Sequence, residues 1–362
     1  MAKKRKWQQL LAALGGELDA PESAMWSDLK LRPLALPEVD LDEVRMDTVF
    51  LGHGLRYPVL VGALTGGHRR LATINRRLAT LTHRNGLAMS VGSQREQLVE
   101  PEAGTSFRVV RRAAPTSFIM ANIGAAQLVE QVSGPRMDAR DLEQLVESIQ
   151  ADALVVHANF VHEALQPEGD TRAYGVLEAL GHLVKELHCP VLVKETGSGL
   201  DRLTARRLEA VGVAALETAG AGGASMARME RRLAQWRGDD QAASTAATFV
   251  DWGIPAPASF LEVRQATSVP VIAGGGIRTG LDAVRALAAG ADLVSVSLPL
   301  IQKAASSDNQ LQRWMNGFLQ EMRLGMFLVG AASLGQLRDM APVVLTGSTR
   351  EYVEMVNKRP MV

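Results

Sequence analysis

The residues best suited to chemistry follow one apolar segment near the middle of the chain. Residues 153–156 have the composition of a buried β-strand, and polar or ionisable side chains come directly after them. These side chains belong to His157, Asn159, His162, Glu163, Gln166, Glu168 and Asp170. A fold gains nothing from so many such groups at a buried strand end, whereas a site can use them to ligate a cation, hold a phosphate or move a proton. A strand end followed by a solvated loop is the structural alternative.

Apolar runs rich in β-branched residues recur along the chain and predict the strands that position these groups. They span residues 58–63, 87–92, 117–123, 153–159, 191–196, 214–218, 271–275 and 293–298. Helical patterns lie between them at residues 74–84, 141–150, 174–187, 204–211 and 281–289. Strands that are apolar throughout belong to parallel sheets covered by helices on both faces. Eight such β-then-α units predict an α/β fold of the (β/α)8 TIM-barrel type.

A doubly wound open sheet is the alternative architecture. It would place a GxGxxG cofactor fingerprint after its first strand, whereas residues 62–67 read GALTGG. The barrel therefore remains the predicted fold. We expect one domain over residues 1–362, with an N-terminal extension at 1–50 and an insertion at 229–258 after the sixth strand.

Composition excludes several classes of function. The formal net charge is zero, with 39 basic and 39 acidic residues, which argues against nucleic acid as the main partner. The sequence shows no run of eighteen apolar residues and no secretory apolar region, so we expect no membrane span and a cytoplasmic location. The single cysteine, Cys189, is predicted to be a core thiol. The basic run at residues 3–6 is either a solvated tail or a segment that folds over an anionic ligand.

Further candidates stand at the ends of other predicted strands, where a barrel places its active site. Thr65 and Gly66 follow the first strand, Ser93 and Arg95 follow the second, and Asn122 ends the third. Lys194 follows the apolar start of the fifth strand, where a buried ammonium needs an anionic partner. Its neighbour Glu195 is not that partner, because adjacent residues of a strand face opposite ways.

Two glycine-rich loops follow the sixth and seventh strands, at residues 220–225 and 274–280. Glycine lets backbone N–H groups approach a phosphate closely, and the N-terminus of the following helix favours negative charge. Together with Lys194, these loops predict a phosphorylated cofactor, and FMN fits best. Two merely flexible turns are the alternative.

With these features in place, the chain resembles the type 2, FMN-dependent isopentenyl-diphosphate isomerase family from about residue 5 to about residue 332. The resemblance rests on motifs in the same order, and as a set they are specific. They are Ala35-Leu36-Pro37-Glu38, Phe50-Leu51-Gly52, Thr65-Gly66-Gly67, Val91-Gly92-Ser93-Gln94-Arg95, Ala121-Asn122-Ile123-Gly124-Ala125, Gln166-Pro167-Glu168-Gly169-Asp170, Val193-Lys194-Glu195, Ala219-Gly220-Ala221-Gly222-Gly223, Trp252-Gly253-Ile254-Pro255 and Gly275-Gly276-Ile277-Arg278-Thr279-Gly280.

The resemblance implies reduced FMN across the barrel mouth, Mg2+ between the substrate diphosphate and Glu163, and NADPH only to reduce the flavin. It implies proton transfer on an allylic carbon framework with no net redox change, in a homo-oligomer that is a tetramer or octamer. The implied cofactor contacts are Thr65, Gly66, Ser93, Asn122, Lys194, Ser225, Gly275, Gly276 and Arg278. The implied diphosphate contacts are Arg5, Lys6, Arg95, His157 and Asn159. The expected catalytic groups are His162, Glu163 and Lys194.

Departures from the family pattern leave more than one substrate compatible with the sequence. The family's proline and glutamine in H-x-N-P-x-Q-E are Phe160 and His162 here, and the histidine of R-K-x-x-H is Gln9. The first residue of its H-x-A-L-P-E is Pro33. Imidazole can move protons near neutral pH, or His162 can simply hydrogen-bond a carboxylate such as Glu163. The alternatives to the isomerase are a diverged flavoprotein for a larger isoprenoid compound, an FMN oxidoreductase, and a non-catalytic flavin-binding subunit. Phe160 adds apolar area where the family has proline, which suits a larger or more apolar ligand.

Overall fold

The computed structural model describes residues 2–16, 18, 24–63, 66–340 and 342–358. Its strands are β1 (Leu29–Leu31), β2 (Thr48–Phe50), β3 (His53–Leu55), β4 (Val59–Val61), β5 (Ala88–Ser90), β6 (Phe118–Gly124), β7 (Ala153–Ala158), β8 (Val191–Glu195), β9 (Ala215–Glu217), β10 (Val271–Ala273), β11 (Leu293–Val296) and β12 (Val343–Leu345). Short 3-10 turns lie at Trp26–Asp28, Arg69–Leu71, Pro101–Gly104 and Ala125–Leu128.

The α-helices alternate with these strands over most of the chain. They are α1 (Ala2–Leu14), α2 (Ala72–Asn85), α3 (Arg95–Val99), α4 (Thr105–Ala113), α5 (Ala139–Ser148), α6 (Phe160–Leu165), α7 (Val176–Glu186), α8 (Arg202–Ala210), α9 (Met226–Arg237), α10 (Asp240–Thr248), α11 (Ala256–Ala266), α12 (Gly280–Ala288), α13 (Leu298–Ser306), α14 (Asp308–Leu328), α15 (Leu334–Met340) and α16 (Gly347–Lys358).

Eight parallel strands close into a barrel in the order β10-β11-β4-β5-β6-β7-β8-β9. Each of the eight apolar runs in the sequence coincides with one of these strands, with β6 extending one residue beyond its run, so the predicted (β/α)8 fold is confirmed. The strands are buried along their whole length in most cases, as β6 and β8 show, because the barrel interior covers one face and the helices cover the other.

One end of the barrel is closed by the β2–β3 hairpin. Phe50 and Leu55 of the hairpin pack against interior side chains of the barrel. The Phe50 ring meets the edge of Phe118, with ring centroids 5.8 Å apart, and Phe118 is the first residue of β6. The hairpin therefore plugs the end at which the strands begin, and the opposite end is left for a site.

The segments before and between the barrel units form additional helices. α1 packs against α9 and α13, which brings the basic start of the chain onto the barrel. The insertion predicted at 229–258 corresponds to α9 and α10, although α9 already begins at Met226. The amphipathic segment at 309–331 is the core-facing helix α14, which buries Leu311, Met315 and Phe318.

Two expectations from composition can be compared with the structure. Among the described residues, no helix is both long and apolar enough to cross a membrane. Cys189 is half-buried, and burial raises the pKa of its thiol. It packs at the edge of the main core and is less enclosed than the sequence predicted.

Candidate active site

A cavity of about 280 Å³ lies at the end of the barrel where the strands finish. Most of the residues that the sequence predicted for a site line this cavity. They are Arg5, Lys6, Gly66, Ser93, Arg95, Asn122, His157, Asn159, His162, Glu163, Lys194, Gly275, Gly276 and Arg278. Thr65 lies outside the described residues. Ser225 lines a separate, smaller pocket of about 70 Å³.

The floor of the cavity holds a buried ion pair. Lys194 Nζ donates to Glu217 Oε1 at 3.1 Å, and both side chains are buried. The two residues are register partners on the adjacent strands β8 and β9. Glu217 is the anionic partner that a buried lysine requires, and the sequence reading had not identified it. The pair places a charged hydrogen-bond donor at the barrel mouth, where the polar edge of a flavin ring could accept from it.

His157 is held as a neutral imidazole. Its Nδ1 lies 2.6 Å from Asn122 Oδ1, and because a carboxamide oxygen only accepts, Nδ1 carries the proton and Nε2 is an acceptor. Burial is the main cause that lowers the pKa of His157 to about 3, with Lys194 and Lys6 lowering it further. The residue can therefore exchange hydrogen bonds with a ligand near pH 7 without adding a positive charge.

His162 is paired with a carboxylate that the sequence did not indicate. Its Nε2 lies 2.7 Å from Glu230 Oε1, and Arg5 donates to the same oxygen at 2.6 Å. Glu230 is buried on α9, and its Oε2 has no hydrogen-bond partner in the described part of the chain. The suggested bond between His162 and Glu163 is not formed. Neighbouring residues of a helix do not face each other, so Glu163 points elsewhere.

Glu163 is fixed by two hydrogen bonds at the cavity wall. Its Oε1 accepts from Asn159 Nδ2 at 2.9 Å, and its Oε2 accepts from the backbone N–H of Asp170 at 3.0 Å. Each oxygen keeps a second lone pair. The described residues contain no group of three or more metal-ligating carboxylate, imidazole or thiol side chains. A Mg2+ at Glu163 would thus need most of its ligands from water and a bound diphosphate, which is the usual arrangement for this ion.

Cations surround the same part of the cavity. Arg95 is bound to the carboxylate of the buried Asp170 and donates to Ser133 Oγ at 3.0 Å. Lys6 is half-buried, and desolvation lowers the pKa of its ammonium, while the carboxylates of Glu96 and Glu163 act in the opposite direction. Arg95 thus reaches the cavity while anchored to the protein, whereas no hydrogen bond fixes Lys6 within the described residues.

The end of β11 carries groups that could hold a phosphate, and the sequence alone did not indicate them. A Cβ atom at Gly62 would lie 2.1 Å from Ser297 Oγ and 2.7 Å from Ser295 Oγ, so only glycine leaves these hydroxyls room. Ser297 precedes α13 but its side chain does not cap that helix. By contrast, Ser225 caps α9 and Thr279 caps α12. The alternation of two serines at a strand end was the signal that could have revealed this site.

The glycine loops fit a phosphate beside those serines, but they also have a structural reason. Gly275 and Gly276 have φ angles of 84° and 70°, which favour glycine. A Cβ at Gly275 would lie 2.4 Å from the carbonyl oxygen of Gly220, and one at Gly223 would lie 2.5 Å from the N of Gly276. The two loops are therefore packed backbone against backbone. With Arg278 and the uncapped start of α13, they form a donor set that fits the phosphate of FMN.

Two departures from the family pattern do not reach the cavity. Phe160 packs against the main hydrophobic core and does not line the cavity wall. Pro33 is exposed and also lies away from the wall. The suggestion that Phe160 adds apolar area for the ligand is therefore wrong, because the residue packs against the core at the start of α6. Gln9, by contrast, does line the cavity, as does His162.

Glu195, beside the cavity, accepts hydrogen bonds from the loop after β8. Its Oε2 accepts from the backbone N–H groups of Gly197 and Gly199 at 2.6 and 2.7 Å, and from that of Ser198. Burial outweighs these bonds and raises the pKa of Glu195 from 4.5 to about 7. The folded protein therefore binds one more proton here than the unfolded chain between these two values.

We expect this proton to give a measurable pH dependence of stability. Stability from Glu195 is fully present below pH 4.5 and is lost as pH rises through about 7. The loss amounts to about 3 kcal/mol or less over that window. Urea unfolding from pH 5 to 8 gives the free energy of unfolding of wild type and of Glu195→Gln. The difference between the two proteins isolates Glu195, because the contributions of other titrating groups such as His157 cancel. If that difference does not change with pH, Glu195 does not titrate in this range.

Comparisons with known proteins place this chain among flavoproteins and isomerases. A family described as FMN-dependent dehydrogenase matches residues 132–342. An isopentenyl-diphosphate delta-isomerase of Methanosarcina barkeri is 41% identical over 352 residues, which cover 97% of this chain and 94% of that protein. The protein of the same name from Methanothermobacter thermautotrophicus is 36% identical over 353 residues, covering 98% and 96%.

Solved structures support the fold alone. A lactate oxidase of Pediococcus acidilactici superposes with a TM-score of 0.62 at 15% identity, covering 95% of this chain and 94% of that chain. A mandelate oxidase superposes with a TM-score of 0.59 at 15% identity, covering 95% and 98%. At this level of identity the likeness carries no information on the substrate.

Proposed function

This chain belongs to the family of FMN-dependent isopentenyl-diphosphate delta-isomerases, and we propose that it interconverts isopentenyl diphosphate and dimethylallyl diphosphate. The proposed reaction uses bound FMN and Mg2+, moves a proton and causes no net redox change. The observation that carries the proposal is the cavity itself. It combines the charged residues that a diphosphate needs with a phosphate-binding donor set that fits FMN.

The residues at the end of β7, together with Lys6 of α1 and Arg95 of α3, are suited to bind the diphosphate end of the substrate. Asn159 and the neutral His157 offer hydrogen bonds without fixed charge, and Lys6 and Arg95 supply positive charge. Mg2+ would join a diphosphate oxygen to Glu163, whose position is set by its two hydrogen bonds. NADPH would serve only to bring the flavin to its reduced form.

The residues at the ends of β8 and β9 are suited to act near the carbon atoms of the substrate that react. When bound, FMN supplies a ring nitrogen that can hold and release a proton. Lys194, fixed by Glu217, would orient the flavin and keep its polar edge hydrogen-bonded. His162, fixed by Glu230, is the other group that can exchange a proton at this wall of the cavity.

His162 gives a test of whether the chain has kept the family's reaction. We expect His162→Gln, which restores the family residue, to keep turnover of isopentenyl diphosphate within about threefold of wild type, because an amide can still donate to Glu230. Steady-state rates of both proteins measure this. A loss of about a hundredfold or more would show that the imidazole itself transfers a proton.

The proposal is tested by an anaerobic assay with FMN, NADPH, Mg2+ and isopentenyl diphosphate, followed by identification of the product. We expect dimethylallyl diphosphate, formed without stoichiometric consumption of NADPH. Heat release of the chromophore should yield FMN. Recovery of FAD, or no product from a fully flavinylated protein, would overturn the proposal.

A flavoprotein for a larger isoprenoid compound remains the second candidate. It is favoured by His162 and Gln9, which line the cavity where the family has glutamine and histidine. It is weakened by Phe160 and Pro33, which lie elsewhere. Turnover of geranyl diphosphate in the same assay, with none of isopentenyl diphosphate, would favour this candidate over the isomerase.

A further inference from the structure

The N-terminal helix α1 forms one wall of the cavity. Lys6, Gln9, Leu10 and Ala13 line the cavity, and their spacing places them on one face of the helix. Contacts with α9 and α13 hold the helix along its length. At its C-terminal end, Gln302 Nε2 donates to the carbonyl oxygen of Ala13 at 3.1 Å. A ligand in the cavity would therefore contact residues of α1, which lies outside the barrel.

The ammonium of Lys6 depends on the position of this helix. Lys6 is half-buried and has no hydrogen bond within the described residues, while the carboxylates of Glu96 and Glu163 attract its ammonium. A lysine side chain is long and flexible and regains its hydration whenever it can reach water. Lys6 can stay in the cavity only if the backbone that carries it is held close to the barrel.

The next residue, Trp7, supplies such an anchor from another face of the helix. Its indole stacks on the imidazole of His68, with centroids 5.9 Å apart and an angle of 30° between the rings. The guanidinium carbon of Arg70 lies 5.1 Å from the centre of the Trp7 ring. The backbone N–H of Arg70 donates to His68 Nδ1 at 3.1 Å, which fixes the imidazole on its own loop.

We propose that Trp7 is a positioning residue that holds α1 and Lys6 over the cavity by docking onto His68 and Arg70. The loop that carries these two residues also contains Gly66 and Leu71, which line the cavity. Trp7 thus ties the wall that supplies Lys6 to the loop after the first barrel strand. This proposal depends on the proposed function in one respect, namely that the anion bound by Lys6 is a diphosphate.

The test uses the FMN-loaded protein with Mg2+ and inorganic pyrophosphate as the probe, measured by calorimetry. We expect Trp7→Ala to weaken pyrophosphate binding and raise KM about tenfold with little change in kcat or FMN content, since stacking and cation–π contacts are each of modest strength. Trp7→Phe should restore most of the loss, and Arg70→Ala should cause part of it. Leu11→Ala, on an exposed position of α1, and Arg69→Ala, beside Arg70, serve as controls.

A second measurement tests, without any ligand, whether the contact of Trp7 with His68 and Arg70 holds α1 in place. Trypsin should cleave Trp7→Ala within α1 several-fold faster than wild type or the controls, because a released helix exposes its basic residues. If Trp7→Ala binds pyrophosphate and resists trypsin like wild type, the proposal is wrong. It is also wrong if Trp7→Phe is as impaired as Trp7→Ala. If wild type binds no pyrophosphate but the trypsin result holds, the anchor stands and the diphosphate substrate does not.

Discussion

Lys194→Met is expected to lower the free energy of unfolding by about 3–5 kcal/mol and to abolish flavin retention. The change leaves Glu217 buried at the cavity floor without its cation, and removing one partner of a buried ion pair has this effect. It also removes the donor proposed for the polar edge of the flavin. Urea unfolding of the apoprotein and the FMN content of the purified variant measure the two effects separately.

The double variant Lys194→Met/Glu217→Gln provides the control. With both charges gone, we expect most of the lost stability to return, because no uncompensated charge remains. Flavin binding should stay weak, since the cation is still missing. If the double variant binds FMN as tightly as wild type, Lys194 has no role toward the flavin and serves only to neutralise Glu217.

Glu163→Gln is expected to raise the Mg2+ concentration needed for half-maximal activity by about a hundredfold or more. An amide is a poor ligand for Mg2+ compared with a carboxylate, whereas its oxygen can still accept from Asn159 or from the N–H of Asp170. The wall of the cavity should therefore keep its shape and the protein its FMN. Initial rates over a Mg2+ series, with FMN content measured on the same samples, test this expectation.

Glu168→Gln is the matched control for the metal prediction. Glu168 also lines the cavity but is exposed, and no hydrogen bond from it to a neighbouring residue is found in the described part of the chain. Glu168→Gln should therefore leave the Mg2+ dependence of activity unchanged. A normal Mg2+ response in Glu163→Gln together with a lost response in Glu168→Gln would move the metal site to Glu168.

The barrel could be predicted from the sequence because its strands are apolar throughout and regularly spaced. The run at 153–159, for example, became β7 at Ala153–Ala158. The short strands outside the barrel carry no comparable signal. β1 pairs with β12 in the register Leu29↔Leu345, and such a contact between distant three-residue segments has no local pattern that could indicate it.

For the site, the sequence identified the residues but not their partners. It showed that Lys194 needs an anion, yet only the register of β8 on β9 brings Glu217 opposite it. It placed His162 beside Glu163, whereas the fold supplies Glu230 from a helix 68 residues further along the chain. Partners of buried charges are set by packing between elements, which residue spacing within one element cannot reveal.

The interlocked loops after β9 and β10 bear on how this site could change during evolution. Barrel enzymes usually acquire new chemistry by exchanging one strand-end loop at a time. Here the backbone of Gly275 fits against Gly220, and Gly276 against Gly222, with no space for a side chain. A chimera that takes either loop alone from a relative should misfold or lose flavin, so recombination libraries need to transfer residues 219–225 and 274–278 as one unit.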